Sequence, residues 1–143
     1  MNKVLIIDNY DSFTYNLVQL VEEVTSKRPT VLRNDALEGV DLSGYSHVIL
    51  SPGPGLPSEA GQLMQAIEEL AKQKVVTLGV CLGQQAIAEH FGGSLANLDK
   101  VYHGVSSKMK IIKEDKLFNN IPTGFEAGRY HSWIVNKDDF PAE

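Results

Sequence analysis

The single cysteine of the chain lies in a sequence that can make it a nucleophile. Gly79–Gly83 reads G-V-C-L-G and stands between an apolar run and a helical pattern, which is the layout of a nucleophile elbow with sulfur in place of oxygen. Glycine is expected on both sides of such a sharp turn, because a Cβ there would collide with the backbone. The start of the following helix favours a thiolate at Cys81. The backbone N–H of Leu82 is then positioned to donate to an oxyanion.

A loop rich in proline and glycine carries the second chemical signal. Ser51–Pro57 reads S-P-G-P-G-L-P and directly follows a predicted strand. Its prolines fix φ, and its glycines leave bare N–H groups that can point into a crevice. We predict that Gly55 supplies a second oxyanion donor, with a rigid connecting turn as the alternative. A phosphate-binding loop is disfavoured, because the segment has neither a lysine nor the G-x-x-x-x-G-K-[ST] pattern.

The general base that a thiol nucleophile usually requires is not evident from the residues. His47 lies in an apolar strand and is expected to be a core or strand-end histidine. His90 lies on the helix after Cys81 and is expected to point away from it. His103 and His131 belong to a strand-rich region and could face the crevice, but no acid is spaced to form a dyad with either. The residues therefore identify a nucleophile and leave its base open.

The bulk composition is that of one globular domain over residues 1–143. The chain is 43% hydrophobic and 22% charged, with a net charge of −5, and it lacks the basic patch of a nucleic-acid binder. Its one cysteine excludes an internal disulfide and favours a reducing compartment. The apolar run near the N-terminus, which Asp8 ends, is too short for a signal sequence or a membrane span. We expect a cytoplasmic protein that binds neither nucleic acid nor membrane and needs no metal or cofactor.

Strands alternate with helices along most of the chain, which predicts an α/β fold with a mostly parallel open sheet and helices on both faces, of flavodoxin-like type. A strand-rich part follows from Ser94. The predicted strands are Lys3–Asp8, Thr30–Leu32, Ser46–Leu50 and Lys74–Val80, with the first one central. The predicted helices are one capped by Asp11 or Ser12, then Ala60–Lys72 and Gln84–Phe91. The first helix is predicted to bury Phe13, Leu17, Leu20, Val21 and Val24.

Segments in this order resemble the class I (triad) glutamine amidotransferases. They are Asp8–Leu17 (D-N-Y-D-S-F-T-Y-N-L), Ser51–Pro57 and Gly79–Gln85 (G-V-C-L-G-Q-Q). Arg129–Trp133 (R-Y-H-S-W) is similar to the R-Y-H-S-L segment of that family. The first segment is particularly similar to the glutaminase subunits of anthranilate synthase and aminodeoxychorismate synthase. The resemblance covers the whole chain.

The resemblance implies a function and a set of site residues. Cys81 would hydrolyse glutamine to glutamate and ammonia through a glutamyl thioester, with Gly55 and Leu82 as the oxyanion hole. The ammonia would pass to a chorismate-aminating synthase subunit that makes anthranilate, for tryptophan, or aminodeoxychorismate, for folate. Asn9–Asn16 resembles the segment that faces this subunit. The residues implied to hold glutamine are Gly53, Pro54, Gly55, Gln85, Ser132 and Trp133.

The sequence also departs from the family pattern. Gln84, Val105 and Trp133 stand where histidine, lysine and leucine are common. The family's catalytic histidine and glutamate lie in a His-Pro-Glu segment near the C-terminus, and the 143 residues do not include it. We therefore expect this chain by itself to be nearly inactive as a glutaminase.

Two other functions are compatible with these residues. One is a non-catalytic flavodoxin-like binding or partner module, which the missing base favours. Taken alone, Cys81 is also compatible with an ordinary buried cysteine. The other is a cysteine hydrolase with a related elbow fold. Labelling of Cys81 by an electrophilic glutamine analogue would distinguish glutaminase chemistry from the binding module, and a peptide substrate would test the hydrolase.

Overall fold

Four parallel strands form a sheet, and the segments predicted to carry the chemistry follow three of these strands in the chain. The structure is a computed structural model that describes residues 2–142. Its first four strands are β1 (Val4–Asp8), β2 (Thr30–Arg33), β3 (His47–Leu50) and β4 (Val76–Gly79). Their order in the sheet is β2-β1-β3-β4, and all neighbours are parallel. The prediction of an α/β fold with a central first strand is confirmed.

Helices pack on both faces of this sheet, which explains the continuous apolar run of β1. The helices are α1 (Thr14–Thr25), α2 (Leu63–Gln73) and α3 (Leu82–His90). Alternate residues of a strand point to opposite faces, so Ile6 packs with α1 residues while Leu5 and Ile7 join a larger cluster with α2 and α3. None of the helices in the described part of the chain is long and apolar enough to cross a membrane.

The buried face of α1 is not the predicted one. Leu17 is buried as expected, but Phe13, Leu20 and Val24 are exposed, and Val24 is 85% exposed. The buried stripe starts instead at Thr14, continues through Leu17 and Val18, and has Val21 packed beside it. The buried Thr14 hydroxyl donates to the carboxylate of Asp8 at 2.8 Å. That bond helps to set the rotation of α1 about its own axis relative to the sheet. A pattern of hydrophobic residues alone does not reveal a contact between polar groups.

The strand-rich C-terminal part forms a separate hairpin. The chain divides into a first unit, which runs to Leu95 and resumes at Val135, and a second unit, Ala96–Ile134. The paired strands are β5 (Leu95–Lys110) and β6 (Gly124–Val135), which run antiparallel. A single domain over residues 1–143 stays a prediction.

Candidate active site

Cys81 occupies the turn between β4 and α3, as the elbow pattern predicted. It is the residue that immediately precedes α3, and its backbone angles are φ 51° and ψ −107°. A non-glycine residue rarely adopts a positive φ, and such a conformation costs on the order of 1–3 kcal/mol. The surrounding structure therefore holds Cys81 in a strained conformation that lifts it off the end of the sheet.

The two flanking glycines are required by close backbone contacts. A Cβ on Gly79 would lie 2.5 Å from the backbone nitrogen of Gln84 and 2.5 Å from the carbonyl carbon of Gly83. A Cβ on Gly83 would lie 2.5 Å from the carbonyl oxygen of Leu50. All three distances are far below van der Waals contact, and the obstructing atoms are backbone. The turn can thus be this sharp only with glycine at both positions.

The Cys81 thiol is accessible, and its immediate surroundings favour the protonated form. Neighbouring atoms desolvate the sulfur and so raise the pKa of Cys81 above its ordinary value. A hydrogen bond from the backbone N–H of Leu82 acts in the opposite direction, and the carboxylate of Asp11 raises the pKa further. The lowering of the pKa expected from the helix start is outweighed by desolvation. A donor for the sulfur is nevertheless in place at Leu82.

The loop after β3 approaches the elbow closely. A Cβ on Gly53 would lie 2.8 Å from the Cδ2 atom of Leu82 and 2.6 Å from the Cβ of Asn9. Gly55 has φ +72°, which glycine tolerates, and a Cβ there would meet the Glu59 carboxylate at 2.5 Å. That carboxylate accepts a hydrogen bond from the N–H of Leu56 at 2.9 Å. The loop is therefore held near the residue that follows the nucleophile.

The residues implied to hold glutamine are divided between the two units. Gly53, Pro54 and Gly55 lie in the loop after β3, and Gln85 is 7% exposed on α3; all four belong to the first unit. Ser132 and Trp133 lie on β6 in the second unit, and both are partly buried. The geometry within the first unit brings the loop and the elbow together.

The two histidines of the first unit, His47 and His90, both lie away from Cys81, as expected. His47 is the first residue of β3, exposed, with its Nδ1 atom 3.0 Å from the hydroxyl of Ser46. It thus lies at the amino end of the strands, whereas Cys81 lies at their carboxyl ends. His90 is the last residue of α3, eight positions after Leu82, which is roughly 12 Å along a helix. Neither is placed to take a proton from Cys81.

The other two histidines lie in the hairpin and contact aromatic rings. His103 meets the ring of Tyr130 edge-on, and His131 stacks on Tyr102 with 5.7 Å between ring centroids. The Nε2 atom of His131 accepts a hydrogen bond from Nε of Arg129 at 3.2 Å. These contacts give His131 a packing role within the hairpin.

Asn9 is a residue of the site that the sequence did not single out. It follows β1 directly, at the carboxyl edge of the sheet, and is 2% exposed. The available signal was a polar residue at the carboxyl end of a central strand, which is where ligands bind in open α/β sheets. The sequence assigned Asn9 only to a partner-facing segment.

Together, the parallel sheet and the strained cysteine at a strand-to-helix turn define an α/β protein with a nucleophile elbow. The model of the family described as glutamine amidotransferase class-I matches residues 5–143. The chain belongs to this family.

Named relatives agree with this assignment. Anthranilate synthase component 2 of Porphyra purpurea is 45% identical over 140 residues, which are 96% of this chain and 72% of that protein. Anthranilate synthase component 2 of Lactococcus lactis subsp. lactis is 43% identical over 134 residues, which are 94% of this chain and 67% of that protein. A crystal structure of a glutamine amidotransferase from Thermotoga maritima superposes with a TM-score of 0.84 at 21% identity, covering 99% of this chain and 64% of that one. This last likeness shows the fold.

Proposed function

We propose that this chain is the glutaminase part of a chorismate-aminating synthase, with Cys81 as the nucleophile. The thiolate attacks the side-chain amide carbon of glutamine, and the C–N bond breaks as the amide nitrogen takes up the proton that the thiol has lost and leaves as ammonia. Water then hydrolyses the glutamyl thioester, which releases glutamate and restores the thiol. The N–H groups of Gly55 and Leu82 stabilise the oxyanion of each tetrahedral intermediate. Gly53, Pro54, Gln85, Ser132 and Trp133 bind the glutamine.

The observation that carries this proposal is the strained conformation of Cys81. Cys81 has a positive φ and lies between two glycines whose positions are in close backbone contact. Backbone strain of this kind is characteristic of functional sites, and a non-catalytic binding module would not require it. The raised pKa means that an external base must take the thiol proton for fast acylation near neutral pH.

The two relatives named as anthranilate synthase component 2 favour anthranilate over aminodeoxychorismate as the product of the partner.

We propose that this partner docks on Asn9–Asn16. Tyr10 and Tyr15 are 49% and 64% exposed in this segment. The Tyr10 hydroxyl donates to Asp35 at 2.5 Å, and the Arg33 guanidinium lies 4.6 Å from the centre of its ring. An exposed aromatic that is already held in place suits an interface anchor, because little side-chain entropy remains to be lost.

The glutamine-binding part of the proposal is tested with Trp133, the only tryptophan of the chain. A Cys81→Ala chain is titrated with L-glutamine while the intrinsic fluorescence is followed, and equilibrium dialysis with labelled L-glutamine gives a second readout. We expect saturable binding of L-glutamine and much weaker binding of L-asparagine, which is one methylene shorter. Equal binding of both amides, or no binding of either in dialysis, would contradict the proposal.

A further inference from the structure

We propose that Asn9 is a positioning residue that sets the place of the oxyanion loop Ser51–Gly55. The inference rests on the proposed function, because it assigns to Asn9 the task of holding the donor at Gly55.

Asn9 forms two hydrogen bonds to Ser51, the first residue of the loop. Its backbone N–H donates to the Ser51 hydroxyl at 2.8 Å, and its side-chain amide donates to the Ser51 carbonyl at 2.8 Å. Ser51 is completely buried, and its hydroxyl in turn donates to the carbonyl of Pro52 at 2.7 Å. Buried polar groups of this kind are costly to leave unpaired. The loop therefore starts from a fixed point beside β1.

Asn9 also limits how the loop continues. The Cβ and carbonyl oxygen of Asn9 lie 2.6 and 2.7 Å from where a Cβ of Gly53 would be. The chain at Gly53 thus passes close to the backbone of Asn9, and the Cδ2 atom of Leu82 approaches the same point at 2.8 Å. Two residues later comes Gly55, the proposed donor. A shift at Ser51 or Gly53 would be transmitted to Gly55 through a short segment stiffened by Pro52 and Pro54.

A third residue orients the Asn9 amide. The Nδ2 group of Asn34 donates to Oδ1 of Asn9 at 3.1 Å, and Asn34 is 5% exposed. Asn34 is itself tied to the scaffold, since its N–H donates to the carbonyl of Asp8 at 3.0 Å and its carbonyl accepts from the N–H of Gln62 at 2.9 Å. The Asn9 side chain must accept on one atom and donate on the other, which only an amide does in this orientation. Aspartate has nearly the same shape and lacks the donor.

The test compares two reagents that attack the same thiol. A glutamine analogue with a chloromethyl ketone in place of the amide passes through a tetrahedral adduct and needs the oxyanion donors. Iodoacetamide alkylates the sulfur by direct displacement and does not. Both rates are measured at about pH 9, where a substantial share of ordinary thiols is ionised. The ratio of the two rates reports donor placement, while misfolding lowers or raises both.

The variants are Asn9→Asp, Asn34→Asp and, as a control, Asn119→Asp on an exposed loop. Asn9→Asp sets a carboxylate oxygen against the Ser51 carbonyl, and Asn34→Asp attracts the Asn9 amide group and turns it away from Ser51. We expect each to reduce the rate ratio by about 10- to 100-fold, less than the roughly 10²–10³ for deleting an oxyanion donor. The analogue's saturation constant should change little, and Asn119→Asp should match the parent chain.

Thermal melting establishes which variants fold. If Asn9→Asp does not fold, the rate ratio of Asn34→Asp tests the inference. An unchanged ratio in a folded variant would overturn the inference, as would a parallel fall in both rates. If the parent chain itself reacts with the analogue no faster than a free thiol does, the proposed function fails, and the role of Asn9 fails with it. Selective reaction of the parent chain with an unchanged ratio in the variants would remove the Asn9 inference alone.

Discussion

At the scale of single residues, the environment of Cys81 determines how its reactivity depends on pH. Desolvation is the main cause that raises the pKa of the thiol, and the carboxylate of Asp11 adds to it. A raised pKa means less thiolate at neutral pH than in a free cysteine, whose pKa is about 8.5. The thiol gains reactivity only when the pH rises through that higher value or when a base removes its proton.

We predict that the rate of alkylation of Cys81 by iodoacetamide rises with pH to a midpoint above about 8.5. Asp11→Asn should move this midpoint down, because it removes a negative charge that disfavours the thiolate. The asparagine can still accept the hydrogen bond that Asp11 receives from the N–H of Phe13. Since Cys81 is the only cysteine, the alkylation rate reports this group directly.

Glu23→Gln on the exposed side of α1 is the control with the same change of charge. Its midpoint should equal that of the parent chain. If Asp11→Asn raised the midpoint or left it in place, the electrostatic role of Asp11 would be wrong.

At the scale of elements, the sequence predicted the strands of the sheet better than the packing of α1. Continuous apolar runs such as Val4–Ile7 indicate strands of a parallel sheet, because buried parallel strands are apolar on both faces. The rotation of α1 depends on the bond between Thr14 and Asp8, a contact between polar groups in separate elements. The elbow could be predicted because its requirement is local: one cysteine between two glycines. The grip of Asn9 on Ser51 joins residues 42 positions apart, and no spacing rule reveals it.

The corrected face of α1 gives a prediction with a matched pair of substitutions. Leu17 is 9% exposed and Leu20 is 53% exposed on the same helix. Leu17→Ala should lower the free energy of unfolding by about 2–5 kcal/mol, because it removes buried methyl groups and leaves a cavity. Leu20→Ala should lower it by less than about 1 kcal/mol. Urea unfolding followed by circular dichroism measures both, and equal losses would restore the face predicted from the sequence.

At the scale of the whole molecule, the parallel sheet gathers three chain segments at one edge. Asn9–Asn16 follows β1, the oxyanion loop follows β3 and Cys81 follows β4, and all three strands point the same way. The proposed partner segment therefore lies at the sheet end that carries the thiol. The influence of the Asp11 carboxylate on Cys81 agrees with that closeness. Ammonia released at Cys81 would then have a short path to a subunit docked on this edge.

Docking on this edge is tested by measuring the affinity of the chain for its chorismate-aminating synthase subunit. We expect Tyr10→Ala and Tyr15→Ala each to weaken binding by at least about fivefold, since truncation of an interface anchor costs more than about 1 kcal/mol. Phe91→Ala is the control, because Phe91 is 53% exposed and follows the far end of α3. Unchanged affinity in both tyrosine variants would place the partner elsewhere.

The most direct test of the central claim is the position and selectivity of covalent labelling by the chloromethyl ketone analogue of glutamine. Labelled chain is digested, and mass spectrometry locates the adduct, with L-glutamine or L-asparagine present as a competitor. We predict one adduct, on Cys81, whose formation saturates with reagent concentration and is slowed by L-glutamine but not by L-asparagine. A label that forms without saturation, at the rate of a free thiol and without protection by L-glutamine, would contradict the assignment of Cys81 as the glutaminase nucleophile.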